Sequence, residues 1–171
     1  MAKDKNKDKG PAKTNAVRLL EKGGVDFALH AYPVDEEHLD AQHVADALGQ
    51  DINRVFKTIV LIGERTGHFV CVLPGNCEID LKKAARAAGD KKVELIHVKD
   101  LLGLTGYIRG GCSPVGMKKA FPTFFHTTAS GFESIYVSAG IRGLQMEVDP
   151  KKLISFTHAT VADLVKEVDN S

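Results

Sequence analysis

Cysteine is scarce in this chain: Cys71, Cys77 and Cys112 are its only three, and no CxxC pair occurs. An odd set without paired spacing argues against a disulfide framework and points to a reducing, cytoplasmic compartment. Long apolar runs are missing, and none approaches the ~18 residues of a membrane span. The N-terminus lacks the apolar core of a secretory signal. There are seven histidines but no HExxH, and His38 and His43 are five apart, off one helical face, so no metal site is expected. No P-loop occurs, and no GxGxxG opens a helix after a strand, so no nucleotide cofactor is expected either. Gly111-Cys112-Ser113-Pro114-Val115 fails the GxSxG nucleophile elbow at its last position, and Pro114 lacks the N–H that such an elbow uses. Cys112 has no histidine close in sequence to activate it.

What is present is the composition of a globular domain: 43% hydrophobic and 26% charged over 171 residues. Residues 1–13 hold five lysines and two aspartates, a net charge of +3. With +1 for the whole chain, residues 14–171 carry −2. The first 13 residues read as a disordered basic tail, and 14–171 as a single domain. A body of that balance needs a local basic patch, or a partner, to hold nucleic acid. The densest basic group in the body is Lys82, Lys83, Arg86, Lys91 and Lys92.

The periodicity predicts a mixed α/β fold. Thr14 or Asn15 caps a first helix with Val17 and Leu20 inward, ended by Gly23-Gly24. Residues 25–32 alternate as a strand with Val25, Phe27 and Leu29 on one face. Helices are expected over 41–48, over 80–88 behind an Asp80 cap with Leu81 inward, as a turn at 100–104, over 151–154, and over 160–168. The last of these places Val161, Leu164, Val165 and Val168 inward. Further strands are expected over 55–62, 68–73, 93–96, 123–126, 134–138 and 144–148. The run 55–62 is apolar on both faces and reads as the central strand.

Two features stand out against this background. Lys57 interrupts the strongest strand, on the same face as Ile59 and Leu61. Its stem either packs while its ammonium snorkels to water, or the ammonium enters a cleft and does electrostatic work. The stretch Tyr107-Ile108-Arg109-Gly110-Gly111-Cys112-Ser113-Pro114-Val115-Gly116 is the other. Adjacent glycines let the backbone enter positive φ, and Pro114 stiffens the end of the loop. Such a loop is either an ordinary turn or a set of bare N–H groups for a carbonyl oxygen or phosphate. Together they suit a reaction that needs positioning and oxyanion stabilisation of an activated substrate such as an ester.

Val55-Phe56-Lys57-Thr58, the Gly-x-x-x-Pro loop Gly110–Pro114, and Ile135-Tyr136-Val137-Ser138-Ala139-Gly140 with Arg142-Gly143-Leu144 resemble the YbaK/EbsC family. Those proteins are relatives of the editing domain of bacterial prolyl-tRNA synthetases. The resemblance covers roughly residues 14–168. It implies a bent mixed β-sheet, a partial barrel, with flanking helices. It implies a free-standing deacylase of Cys-tRNA(Pro), and of Cys-tRNA(Cys), meeting mischarged tRNA(Pro) in a transient complex with prolyl-tRNA synthetase. It assigns catalysis to Lys57 and to the loop Gly110, Gly111, Cys112, Ser113 and Pro114. It places Tyr32, Thr58, Ser138, Gly140 and Gln145 around the substrate. It implies that the substrate's own thiol attacks its ester. Neither a cofactor, a membrane nor DNA enters this reading. Two departures bear on specificity: Gln145 stands where the family has an acidic residue, and Asp35–Ala41 lacks a pocket phenylalanine. Deacylation of alanyl- or seryl-tRNA, a binding module without turnover, and a Cys112 or Ser113 esterase remain the alternatives.

Overall fold

The Thr14 hydroxyl accepts the Val17 N–H and so starts α1 (Asn15–Lys22), whose Ala16, Val17 and Leu20 are buried. The computed structural model describes residues 13–167. Then follow β1 (Phe27–Ala31), α2 (Ala41–Leu48), β2 (Phe56–Gly63), β3 (Gly67–Pro74), α3 (Leu81–Ala88) and β4 (Val93–Leu95). The chain continues through α4 (Val98–Thr105), β5 (Thr123–His126), β6 (Ile135–Ser138), β7 (Leu144–Val148), α5 (Pro150–Phe156) and β8 (Thr160–Ala162). Aspartates at 40, 80 and 149 cap α2, α3 and α5 by accepting first-turn N–H groups.

The strands form two ladders. The larger has the order β4-β2-β3-β5-β8, and the smaller β1-β7-β6. β2 pairs antiparallel with β3 and β4, whereas β3–β5 and β5–β8 are parallel. Among the described residues a single parallel bridge, Val55 to Tyr136, joins the ladders. This is the expected mixed, bent sheet with flanking helices. Alternation along β2 and β3 divides the core. Val60, Val70 and Val72 face Leu20, Val137, Met146 and Leu153 on one side. Leu61, Phe69, Cys71 and Leu73 face Ala84, Ala85 and Leu164 under α3 on the other.

Several expectations are corrected. Residues 160–162 are not a helix but the edge strand β8, parallel to β5, with Val161 exposed. β-branched Thr160 and Val161 suit a strand, and β5 supplies the ladder partner. Leu164 is still fully buried, Val165 forms an isolated bridge with Ile79, and Val168 lies outside the described residues. The turn at 100–104 is a two-turn helix, α4. Leu29 and Leu81, expected inward, are 45% and 39% exposed. β3 rather than β2 is the middle strand, and it is buried from Phe69 to Pro74.

Candidate functional site

The edge of β2 that does not pair with β3 is used unevenly. β4 pairs with it only at Leu61–Gly63, and β6 is bridged to it only through Val55, just before β2. Residues 56–59 between those two contacts face a gap rather than a strand. A cavity of about 330 Å³ fills this gap, walled by β2, the start of α2, the loop at 109–112, and the facing positions of β6 and β7.

Lys57 enters this cavity half-buried, and its Nζ donates to the Gly75 carbonyl at 3.2 Å. Burial lowers its pKa from the ordinary lysine value, against weaker opposing effects of Cys77 and Glu78. The carbonyl that holds it belongs to a turn docked tightly on β2, since Gly75 N–H donates to the Val55 carbonyl at 2.8 Å. A Cβ at Gly75 would stand 2.0 Å from the Ala41 Cβ. Only glycine lets this turn lie against α2 and present its carbonyl to Lys57.

Thr58 and Gln145 line the same cavity, and each holds a buried oxygen, Oγ1 and Oε1, with no hydrogen-bond partner among the described residues. Leaving such groups unpaired costs about 1–3 kcal/mol each. Two such groups in one hollow suggest a site shaped for a polar ligand. Gln145 on β7 pairs with Ser138 on β6, and the Ser138 hydroxyl accepts the Gly140 N–H at 3.1 Å. Asp40 is the one carboxylate in the wall, and it is engaged by capping α2 through the His43 N–H at 2.9 Å.

The opposite wall is the glycine-rich loop. Gly110 has φ +86°, and a Cβ there would meet Arg142 Nε at 3.3 Å and Leu39 at 3.4 Å. Arg142 Nε donates to the Arg109 carbonyl at 2.9 Å and so fixes the loop from behind. The Gly111 N–H is used within the turn, on the Ile108 carbonyl. The N–H groups of Gly110, Cys112 and Ser113 make no hydrogen bond among the described residues. Burial pushes the Cys112 thiol up to about 12, partly opposed by a hydrogen bond with Thr105. That thiol stays protonated near neutral pH and is a poor nucleophile.

Lys57, Thr58, Gly110, Cys112, Ser138 and Gln145 therefore meet around one cavity. The other five expected residues lie behind its wall. Tyr32 packs against Val44, Ala45, Val55 and Tyr136. Gly111 lies against the Ile141–Arg142 backbone, where a Cβ would be 3.1 Å away. Ser113 is fully buried, and its hydroxyl accepts the Val115 N–H. Pro114 lines a separate hollow with Leu19, Phe121 and Phe156. Gly140, at φ +110°, backs on the Tyr107 ring. Sequence reasoning missed Gly75, Arg109 and the apolar wall of Leu39, Val44, Phe56 and Ile59. Arg109 adjoins the glycine pair, which was a signal; Gly75 sits in a Pro-Gly-Asn turn and offered none beyond the turn itself.

This chain belongs to the aminoacyl-tRNA editing domain family, whose match spans residues 35–156. Its sequence is 49% identical over 158 residues to EbsC of Enterococcus faecalis, covering 92% of this chain and 96% of that one. EbsC is described as a candidate Cys-tRNA(Pro)/Cys-tRNA(Cys) deacylase. A segment covering 46% of the chain is 33% identical to 13% of the proline–tRNA ligase of Fervidobacterium nodosum. Among solved structures, a candidate trans-editing enzyme for prolyl tRNA synthetase superposes with a TM-score of 0.78 at 26% identity. That match covers 92% of this chain and all of the other.

Proposed function

We propose that this protein is a free-standing deacylase that removes cysteine from mischarged Cys-tRNA(Pro), and from Cys-tRNA(Cys), in the cytoplasm. The carrying observation is the cavity itself: a half-buried ammonium faces a loop with unpaired N–H groups, and no residue of the wall is an activated nucleophile. The wall contains no histidine to act as a base. Such a site stabilises charge and position rather than attacking. The 49% identity to EbsC supports cysteine as the acyl group.

In this reading the substrate supplies its own nucleophile. The cysteinyl thiol attacks the ester carbonyl, and a C–S bond forms as the bond to the ribose oxygen breaks. The thiol proton ends on the released ribose hydroxyl, and a cyclic thiolactone leaves. Free N–H groups of the Gly110–Cys112 loop stabilise the developing oxyanion. Lys57 orients the terminal nucleoside. Thr58, Ser138 and Gln145 hold the aminoacyl group with neutral polar atoms. Prolyl-tRNA synthetase delivers the substrate in a transient complex.

The test is to incubate the protein with tRNA(Pro) carrying Cys, Ala, Ser or Pro, with and without prolyl-tRNA synthetase, and follow ester loss and product. Loss of Cys with thiolactone formation, and slow turnover of Ala, is expected. Equal turnover of Cys and Ala would end the thiol-assisted mechanism and favour the alternative specificity. Binding without ester loss on any substrate would make this a tRNA-end binding module.

A further inference from the structure

A body of net charge −2 must hold a polyanion through a local feature. That feature lies along α3. Lys82 and Arg86, one helical turn apart, are both exposed, as are Lys91 and Lys92 just past the helix. The fold adds a fifth cation from a distant segment. Asp90 accepts the N–H groups of Arg65 and Thr66 at 2.9 and 2.8 Å through Oδ2, and that of Lys91 at 2.7 Å through Oδ1. These bonds hold the Asp90 carboxyl well below the usual carboxylate range. They tie the tip of the β2–β3 hairpin to the end of α3, which sets Arg65 beside Lys91 and Lys92. Among the described residues, none of these five cations has an ion-pair partner. Lys83, by contrast, is bound to Asp163 at 3.0 Å.

The strip has a direction. Lys57 lies at the start of β2, and the hairpin tip at its far end, about 23 Å away at about 3.3 Å per residue. α3 begins six residues after Gly75, whose carbonyl holds Lys57, and ends at the hairpin tip. Its eight residues span about 12 Å toward that tip, starting where the Asp80 N–H donates to the Leu164 carbonyl. Lys82, then Arg86, then Lys91, Lys92 and Arg65 follow one another away from the cavity. Glu64 and Glu94 border the far end; at the near end Glu78 is paired with Lys166 and Asp163 with Lys83.

We propose that Lys82, Arg86, Lys91, Lys92 and Arg65 form a track for the phosphate backbone of an RNA whose 3′ end occupies the cavity. The inference rests on the deacylase reading for the identity of that end. The contacts are to phosphates, so they supply affinity and orientation without reading sequence.

The test compares the full chain with two variants. One carries Lys82→Gln, Arg86→Gln, Lys91→Gln and Lys92→Gln. The other removes the same charge elsewhere, by Lys22→Gln, Lys99→Gln, Lys151→Gln and Lys152→Gln. Binding of uncharged tRNA(Pro) is measured from about 50 to about 200 mM salt, with thermal melts to verify folding. The α3 variant should lose affinity at low salt, and its slope of log K against log salt should become shallower by about 3. The control should keep the native slope. Deacylation of a short aminoacyl-CCA substrate should be unchanged in the α3 variant while that of full tRNA falls.

Equal loss in both variants would overturn the track, leaving net charge as the cause. An unchanged slope in the α3 variant would overturn it too, as would lost synthetase binding with intact RNA binding, which would assign the strip to a protein partner. The binding readout holds whether or not the protein deacylates. Absent turnover of the short substrate by the native protein, with the slope change intact, would sink the deacylase reading alone.

Discussion

Lys57 keeps its charge at a cost, because burial disfavours the ammonium. Its folded pKa is lowered, so the folded state binds fewer protons than the unfolded chain between the two values. Stability therefore rises as pH climbs from the folded pKa of Lys57 to its unfolded one, and is penalised below that window. Activity should run the opposite way. Ester loss above background should fall through an alkaline limb lying below the ordinary lysine value of 10.5. Lys57→Met should abolish that limb and lower kcat/KM by about 10²–10³ without lowering the melting temperature. A variant with native turnover would remove Lys57 from the mechanism. Thr58 makes a second, opposed prediction. Its buried Oγ1 has no partner among the described residues, so Thr58→Val should stabilise the protein by up to about 1–3 kcal/mol while slowing deacylation. Chemical denaturation and ester loss on the same variant check both halves. Cys112→Ala should retain most activity, since the loop acts through its backbone; a dead but folded variant would revive the thiol esterase.

At the level of elements, the site is made by what β2 does not pair with. Its unpaired edge at 56–59 exists because β4 stops at Leu95 and the bridge to β6 lies at Val55. The turn after β3 then closes the floor. Gly75→Ala should push its carbonyl away from Lys57, because the new methyl would meet the Ala41 Cβ at 2.0 Å. Overpacking of that kind costs about 1–3 kcal/mol. Both the melting temperature and turnover should therefore drop, whereas Gly103→Ala, which meets nothing within 4 Å, should change neither through a clash. Caps and hairpins were legible at this level. Asp80 announces α3, and Gly67 turns β2 into its hairpin partner β3 as expected. β8 was not legible, because a three-residue strand and a helix start look alike until a partner strand is known.

Across the whole molecule, the two ladders share an apolar core, and among the described residues one backbone bridge and one polar cluster beside it add to that packing. Glu147 on β7 accepts from Ser134 at 2.6 Å, and from Arg54 at 3.1 Å, and lies 2.9 Å from His30. Arg54 also stands 5.1 Å over the Tyr136 ring. The Ser134 hydrogen bond, with help from His30, lowers the Glu147 pKa against burial. Its contribution to stability is present above the unfolded value and lost as pH falls through the folded one. Glu147→Gln should thus flatten the acid limb of stability against pH, read by denaturant midpoints at several pH values. An unaltered limb would show that the ladders are held by packing alone. The chain's periodicities, caps and glycines settled which segments become helices and strands, and the Val-Phe-Lys-Thr and Gly-x-x-x-Pro runs marked two walls of the cavity, because such signals act within a few residues. Which of those segments meet was decided by pairing over long separations. Placing Gly75 under Lys57, Gln145 across from Thr58, and Arg65 beside Lys91 depends on strand register and on buried partners far along the chain, and no local pattern encodes that distance.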